Sequence, residues 1–266
     1  MASRKKTASK RAAKKRTPVK TAKKAVRGAV KAAAKRLTVD GALAAIDAMH
    51  QQNKFWEQPM WQGLIKGSLP LPMVKEFCRQ HGIIPLHNHN YHGRLYVICP
   101  DPKWRAMIAE VVYEEGTGRL YADGKPHNEL YFDFGEGLGI SRAELLATRY
   151  CPGSLAFKAY FQAMCGKNFL EGVAAHMLAG EAQGPGYFTS IANNLKKNFG
   201  LDDKAVAFWT VHDVADEDHS GIGRKLLKDF AKTEGDLKTV LRVVRETIDM
   251  MNLLTEDTWR CMQAAA

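Results

Sequence analysis

The chain has 266 residues, 45% of them hydrophobic and 25% charged, with a formal net charge of +11. That length holds one sizeable domain plus a tail and buries a core without staples. Five scattered cysteines without a CxxC argue against a disulfide framework or a zinc ribbon, no uncharged apolar run approaches the ~20 residues of a membrane helix, and the start carries no apolar core of a secretory signal; the expected setting is therefore cytoplasmic.

The positive charge is local. Residues 1–36 carry 15 of the 39 Lys and Arg and no acid, the first acidic residue being Asp40. Without them 24 basic residues face 28 acidic ones, a net of −4. The division expected is a disordered Lys/Ala-rich tail over 1–37 and a helical domain over 38–266. The tail reads as a solubilising leader, as a weak nonspecific nucleic-acid contact through residues such as Lys5, Lys6, Lys14, Lys15 and Arg16, or as a transit peptide.

From Thr38 onward the apolar spacing is helical. Val39–Gln52 places Leu43, Ile46 and Met49 on one side. Phe55–Lys66 and Met73–His81 follow, divided by Gly67, Pro70 and Pro72. After Pro85 comes the polar cluster His87-Asn88-His89-Asn90-Tyr91-His92, either a solvated helix start or part of a substrate pocket. Leu95–Cys99 is the only short β-like run. Pro100-Asp101-Pro102 breaks the chain before a helix bearing Trp104, Ile108 and Val111. Glycines 116, 118 and 124 mark a loop, and Pro126-His127 opens the next helix. Ser141 and Glu144 form a capping-box signature. Helices are predicted over about Pro152–Gly166, Phe169–Glu181, Tyr187–Phe199 and, with a long apolar stripe, Gly235–Gln263. The sum is an all-α bundle of about seven to nine helices.

One segment, FWTVHDVADEDHSGIGRKLL (Phe208–Leu227), carries His212, Asp216 and His219 at i, i+4 and i+7. On a helix these fall within a sector of roughly 60°. Two imidazoles beside a carboxylate are half of a metal site, or else a salt-bridge ladder on a solvated face. Candidates for the other half are acids and histidines at core positions. Glu181 ends the apolar series Leu170, Val173, Met177, where an isolated charge is costly. Glu115 extends Trp104, Ile108 and Val111, with Glu114 beside it as an alternative. His127 opens the following helix. Three histidines with three carboxylates suit iron or manganese better than structural zinc. His176 falls on a neighbouring face by this periodicity and reads as a packing residue.

The pieces VVYEEGTG…PHNELYFDFGEGLGI, LAGEAQGPGYF and FWTVHDVADEDH resemble the heme-oxygenase-like di-iron oxidases and oxygenases, relatives of the TenA-type and pyrroloquinoline-quinone synthase folds. The resemblance runs from about Gln51 to the C-terminus. It implies a heme-oxygenase-like helical fold and two iron ions, or a manganese–iron pair, held by Glu115, His127, Glu181, His212, Asp216 and His219. Dioxygen would be the co-substrate, no heme would be bound, and a small organic molecule would be oxidised with an electron donor left unnamed. The interval of 12 residues from Glu115 to His127 is longer than is common in the family, which leaves Glu114 open as the ligand.

One branch of that family makes para-aminobenzoate by consuming its own tyrosine and lysine. The comparable positions here are Trp61, Phe77, Gly180, Phe208 and Ile191, which supply neither phenol nor amine. The expectation is thus an oxidase acting on an external substrate, with His87, Tyr91 and Phe208 as pocket candidates. Alternatives are a cofactorless oxidase, a TenA-like hydrolase using a cysteine such as Cys165, and a nucleic-acid-associated protein working through its tail. No membrane association is expected, and the reading is compatible with a homodimer.

Overall fold

The structure, a computed structural model, describes residues 36–183 and 187–266; the side chains of residues 183 and 214–220 fall outside that description. The tail candidates Lys5, Lys6, Lys14, Lys15 and Arg16 also lie outside the described residues. Within the unit Leu37–Ala266 the described residues form twelve α-helices and no strand: α1 (Val39–Asn53), α2 (Pro59–Lys66), α3 (Leu71–His81), α4 (Asn88–Ile98), α5 (Pro102–Thr117), α6 (His127–Gly137), α7 (Arg142–Leu146), α8 (Pro152–Lys167), α9 (Phe169–Ala175), α10 (Phe188–Phe199), α11 (Asp203–Phe230) and α12 (Glu234–Ala264).

The expected helical bundle is present, cut into more pieces than seven to nine. Proline at the first or second helical position opens α2, α3, α5 and α8, where its missing N–H costs nothing. The single turn α7 stands alone because Ser141 and Glu144 close a complete capping box. Leu95–Cys99, β-like by composition, is helical through Ile98. Leu95 and Cys99 are buried four residues apart while Val97 is 75% exposed, a spacing that period 2 cannot give.

The longest helix, α12, buries Leu237, Val240, Val244, Ile248 and Met251 and packs along α8 and α3. Helix α11 lies along α6 and α10. Trp209 of α11 is completely buried, edge-on to Phe134 and Phe208 at centroid distances of 5.4 and 5.1 Å.

The segment expected as one helix over 169–181 is not one. Helix α9 stops at Ala175, a π-turn runs over His176–Gly180, and a 3₁₀ turn follows over Glu181–Gln183. The Glu181 N–H donates to the His176 carbonyl, five residues back. His50 of α1 donates from Nε2 to the Leu178 carbonyl at 2.8 Å, giving this widened turn a partner from outside the helix. Helix α11 comes close here: a Cβ on Gly223 would lie 2.7 Å from the Met177 Cβ and 3.1 Å from its backbone. Only glycine at 223 lets α11 and the π-turn meet at this distance.

Candidate metal centre

Helix α5 ends at Gly118, whose positive φ of 62° turns the chain back. The turn aims the N–H groups of Leu120 and Tyr121 at the Glu114 carboxylate, at 2.6 and 3.1 Å. After Pro126 in extended conformation the chain re-enters a helix at His127, whose Nε2 donates to Glu114 Oε1 at 3.2 Å. Its Nδ1 lies 3.1 Å from Glu115 Oε1. Across the bundle, His212 of α11 donates from Nδ1 to the Phe208 carbonyl at 2.6 Å, so its Nε2 keeps the lone pair. Glu115, His127 and His212 each offer one ligand atom, and the three atoms lie within 4.8 Å of one another.

Glu114 and Glu115, alternatives in the sequence, make different contacts. Glu114 accepts three hydrogen bonds and fixes the tautomer of His127, as an outer carboxylate does for a metal-bound histidine. Glu115 faces His127 Nδ1 and lines the central cavity. Burial favours the neutral acid of Glu115, but His127 outweighs it and holds the carboxyl well below its usual range. Burial lowers the pKa of His127, yet Glu115 and Glu114 raise it above the ordinary value. Both shifts describe a buried point that demands positive charge. Burial, followed by repulsion from His127, lowers the pKa of His212, keeping it the neutral imidazole that a metal requires.

A second trio stands beside the first. His92 on α4, His176 at the start of the π-turn and Glu181 at its end also bring three ligand atoms within 4.8 Å. His92 Nε2 and His176 Nδ1 are 3.6 and 3.5 Å from Glu181 Oε1. His92 Nδ1 donates to the Asn88 carbonyl at 3.4 Å. The Asn88 side chain donates to Glu115 Oε2 at 3.3 Å, so one residue touches both trios. Phe161 stacks on His176 at 5.4 Å.

Glu115, His212, His176 and Glu181 all line one cavity of about 140 Å³. Its remaining walls are rich in aromatic side chains, including Trp61, Phe161, Phe188, Phe208 and Trp209. His81 lines it too, stacked on Phe77 at 4.9 Å; burial above all lowers its pKa to about 3.

Of the residues singled out from sequence, the structure gathers Glu115, His127 and His212 into one trio and places Glu181 in the other. Asp216 and His219 belong to α11, but their side chains lie outside the described residues. Phe208 lines the cavity. Tyr91 is completely buried behind it, its hydroxyl donating to the Ile83 carbonyl at 3.3 Å. His87 pairs instead with Lys158, Nζ to Nε2 3.2 Å, and burial and that lysine lower its pKa to about 4. Asn88, next to it, is the residue facing the cavity. His92 could have been read from the sequence: it lies three residues before Leu95 and seven before Cys99, on the buried face of α4. His176 could not, because a 3.6-residue period fails across the π-turn. The aromatic setting of His81 carried no local signal.

Comparison with known proteins gives a consistent frame. A family model described as iron-containing redox enzyme matches residues 75–252. A 4-aminobenzoate synthase from Chlamydia pneumoniae is 26% identical over 206 residues, 77% of this chain and 89% of that one. Another 4-aminobenzoate synthase, from Nitrosomonas europaea, is 24% identical over 77% of this chain and 86% of its own. Among solved structures, a TenA homologue from Pseudomonas syringae pv. tomato superposes with a TM-score of 0.68 at 11% identity, covering 84% of this chain and 92% of that one. A CADD-like protein of unknown function from Nostoc punctiforme gives 0.65 at 16% identity, covering 84% and 97%. A domain with a heme oxygenase-like fold from Shewanella denitrificans gives 0.64 at 14%, covering 83% and 93%. At these identities the structures establish the fold alone, and the fold is heme-oxygenase-like.

Proposed function

The chain belongs to the family of iron-containing redox enzymes, and from that premise we propose that it is a non-heme, two-iron oxidase or oxygenase acting on a small, largely apolar organic substrate. The observation that carries this reading is the trio Glu115, His127 and His212 opening onto the aromatic cavity. Two histidines and one carboxylate on one side of an ion, with other positions open, is the donor set of non-heme ferrous oxygenases. The residues fit the ion in charge as well, since the buried Glu115 carboxylate needs a cation beside it.

Iron bound there supplies the binding and reduction of dioxygen. The chain's own residues do the rest. Glu114 keeps a proton on His127 Nε2, and the Phe208 carbonyl keeps one on His212 Nδ1, so the other nitrogen of each ring is the one left for an ion. Glu181, on the same cavity, is the carboxylate available to a second ion. The aromatic walls exclude water and match a flat apolar molecule. Neutral His81 is a hydrogen-bonding group for whatever polar atom the substrate carries.

The names of the two curated relatives raise the question of 4-aminobenzoate. A route that consumes the chain's own tyrosine and lysine has no support at Trp61, Phe77, Phe208 or Ile191, all buried side chains without phenol or amine. An external substrate is therefore the better reading. A thiol-dependent hydrolase is disfavoured, because burial pushes the Cys165 thiol well above its usual pKa.

The test is dioxygen consumption by anaerobically iron-loaded protein, with an electrode readout, against a panel of small aromatic and aliphatic acids, phenols and amines. Iron-dependent uptake is expected in the wild type, stimulated by members of the panel and lost at least about 100-fold in His127→Ala. Equal uptake with and without iron, or full uptake in His127→Ala, would contradict the reading.

A further inference from the structure

Neither the family pattern HxxxDxxH nor the ligand set implied by resemblance includes His92 or His176. Both are nonetheless buried, 1% and 2% exposed, and both turn a ring nitrogen toward the same carboxylate oxygen of Glu181. We propose that His92, His176 and Glu181 form a second divalent-metal site, a two-histidine, one-carboxylate set that takes a first-row transition ion.

Three observations carry it. The first is spacing. Donors about 2.1 Å from one ion stand about 3.0–3.6 Å apart across angles of 90–120°. The separations of 3.6 and 3.5 Å fall in that range. The second is orientation. His92 gives its Nδ1 proton to the Asn88 carbonyl, leaving Nε2 aimed at Glu181, as outer-sphere partners fix metal-binding histidines. The third is backbone. In a regular α-helix, residues five apart point to different faces. The π-turn, closed by the Glu181 N–H on the His176 carbonyl, is what lets His176 and Glu181 share one point. Such turns concentrate at functional sites.

The consequence is a choice of partners for Glu181. In this site it shares its ion with His92 from α4 and His176 from the π-turn. Asn88 then links the two centres, its side chain on Glu115 and its carbonyl on His92. The inference rests on the proposed function only for the choice of iron; binding of a divalent ion is read without turnover.

Crystals of the full chain, soaked anaerobically in Co(II), provide the test through anomalous scattering at the cobalt edge. Two peaks are expected, one among Glu115, His127 and His212 and one within bonding distance of His92, His176 and Glu181. In solution, equilibrium dialysis with Co(II) should lose one ion per chain in His92→Ala and in His176→Gln, with the Glu115 centre still filled. His127→Ala should empty that centre instead and leave the second. A second peak held by Glu181 with Asp216 and His219, beyond reach of His92 and His176, would overturn the proposal. So would full stoichiometry and affinity in both the His92 and the His176 variant. Loss of dioxygen uptake with both cobalt peaks in place would refute the oxidase reading and not this site.

Discussion

Glu114 and Glu115 are adjacent, both buried and both beside His127, yet the geometry gives them different work. The substitution Glu114→Gln separates the roles. All three partners of the Glu114 carboxylate are donors: the N–H groups of Leu120 and Tyr121 and Nε2–H of His127. A carboxamide has one oxygen and one NH₂ group, so it cannot accept from all three. With its oxygen toward Tyr121 and His127, the NH₂ would meet the Leu120 N–H across 2.6 Å, donor against donor. With the amide reversed, His127 must move its proton to Nδ1 to accept from the NH₂. That removes the lone pair facing Glu115 and with it the metal-binding nitrogen. Outer-sphere substitutions of this kind cost about 10–100-fold in metal affinity, or about 1.4–2.7 kcal/mol. Competition between chelator and protein for Fe(II) under argon measures the loss. The expected order of affinity is wild type, then Glu114→Gln, then Glu115→Ala, with far-UV circular dichroism retained in both variants. Wild-type affinity in Glu114→Gln, or a greater loss there than in Glu115→Ala, would refute this division of roles.

Gly223→Ala should lower stability by about 1–3 kcal/mol in urea denaturation, since its Cβ would collide with Met177 at 2.7 Å; iron occupancy should fall with it, because Met177 sits in the turn that carries Glu181. The metal-free protein should lose stability on acidification. His81 has its pKa lowered from 6.5 to about 3 by burial, so it favours the folded state fully above pH 6.5 and less as pH falls toward 3. Between pH 7 and 5 its share is about 2 kcal/mol, and His81→Phe should flatten that slope; an unchanged slope would show that His81 is not the neutral group inferred here. If residues 1–36 contact nucleic acid, the full chain should bind duplex DNA with a steep salt dependence and a chain lacking them should not; identical gel shifts would dismiss the contact.

Much of the architecture could be read before any coordinates. Helical spacing, prolines at helix starts and the Ser141–Glu144 capping box are local signals, and local signals survive folding. The Glu115, His127 and His212 trio was legible for a related reason: Glu115 continues an apolar helical stripe, His127 opens the helix after the glycine loop, and His212 begins the i, i+4, i+7 spacing with Asp216 and His219. His176 was lost because periodicity assumes 3.6 residues per turn, and the π-turn changes that count just where this histidine sits. Tyr91 and His87 drew attention as a polar cluster. However, which members of a cluster face a cavity depends on α8, distant in sequence, which brings Lys158 to His87 and Phe161 to Tyr91. His81 owes its role to aromatic neighbours from α2, α6 and α11, contacts that no sequence window contains.

Imidazoles and carboxylates from separate helices meet in the interior, and on the proposed function they hold iron there. Mössbauer spectroscopy with iron quantification, on full-length protein loaded anaerobically with ⁵⁷Fe(II), tests it most directly. About two irons per chain are expected, as in di-iron helical bundles, all high-spin ferrous in a nitrogen and oxygen environment and all converted on exposure to air. Substoichiometric iron that shows no protein-bound signal, or bound iron that air leaves ferrous, would contradict it.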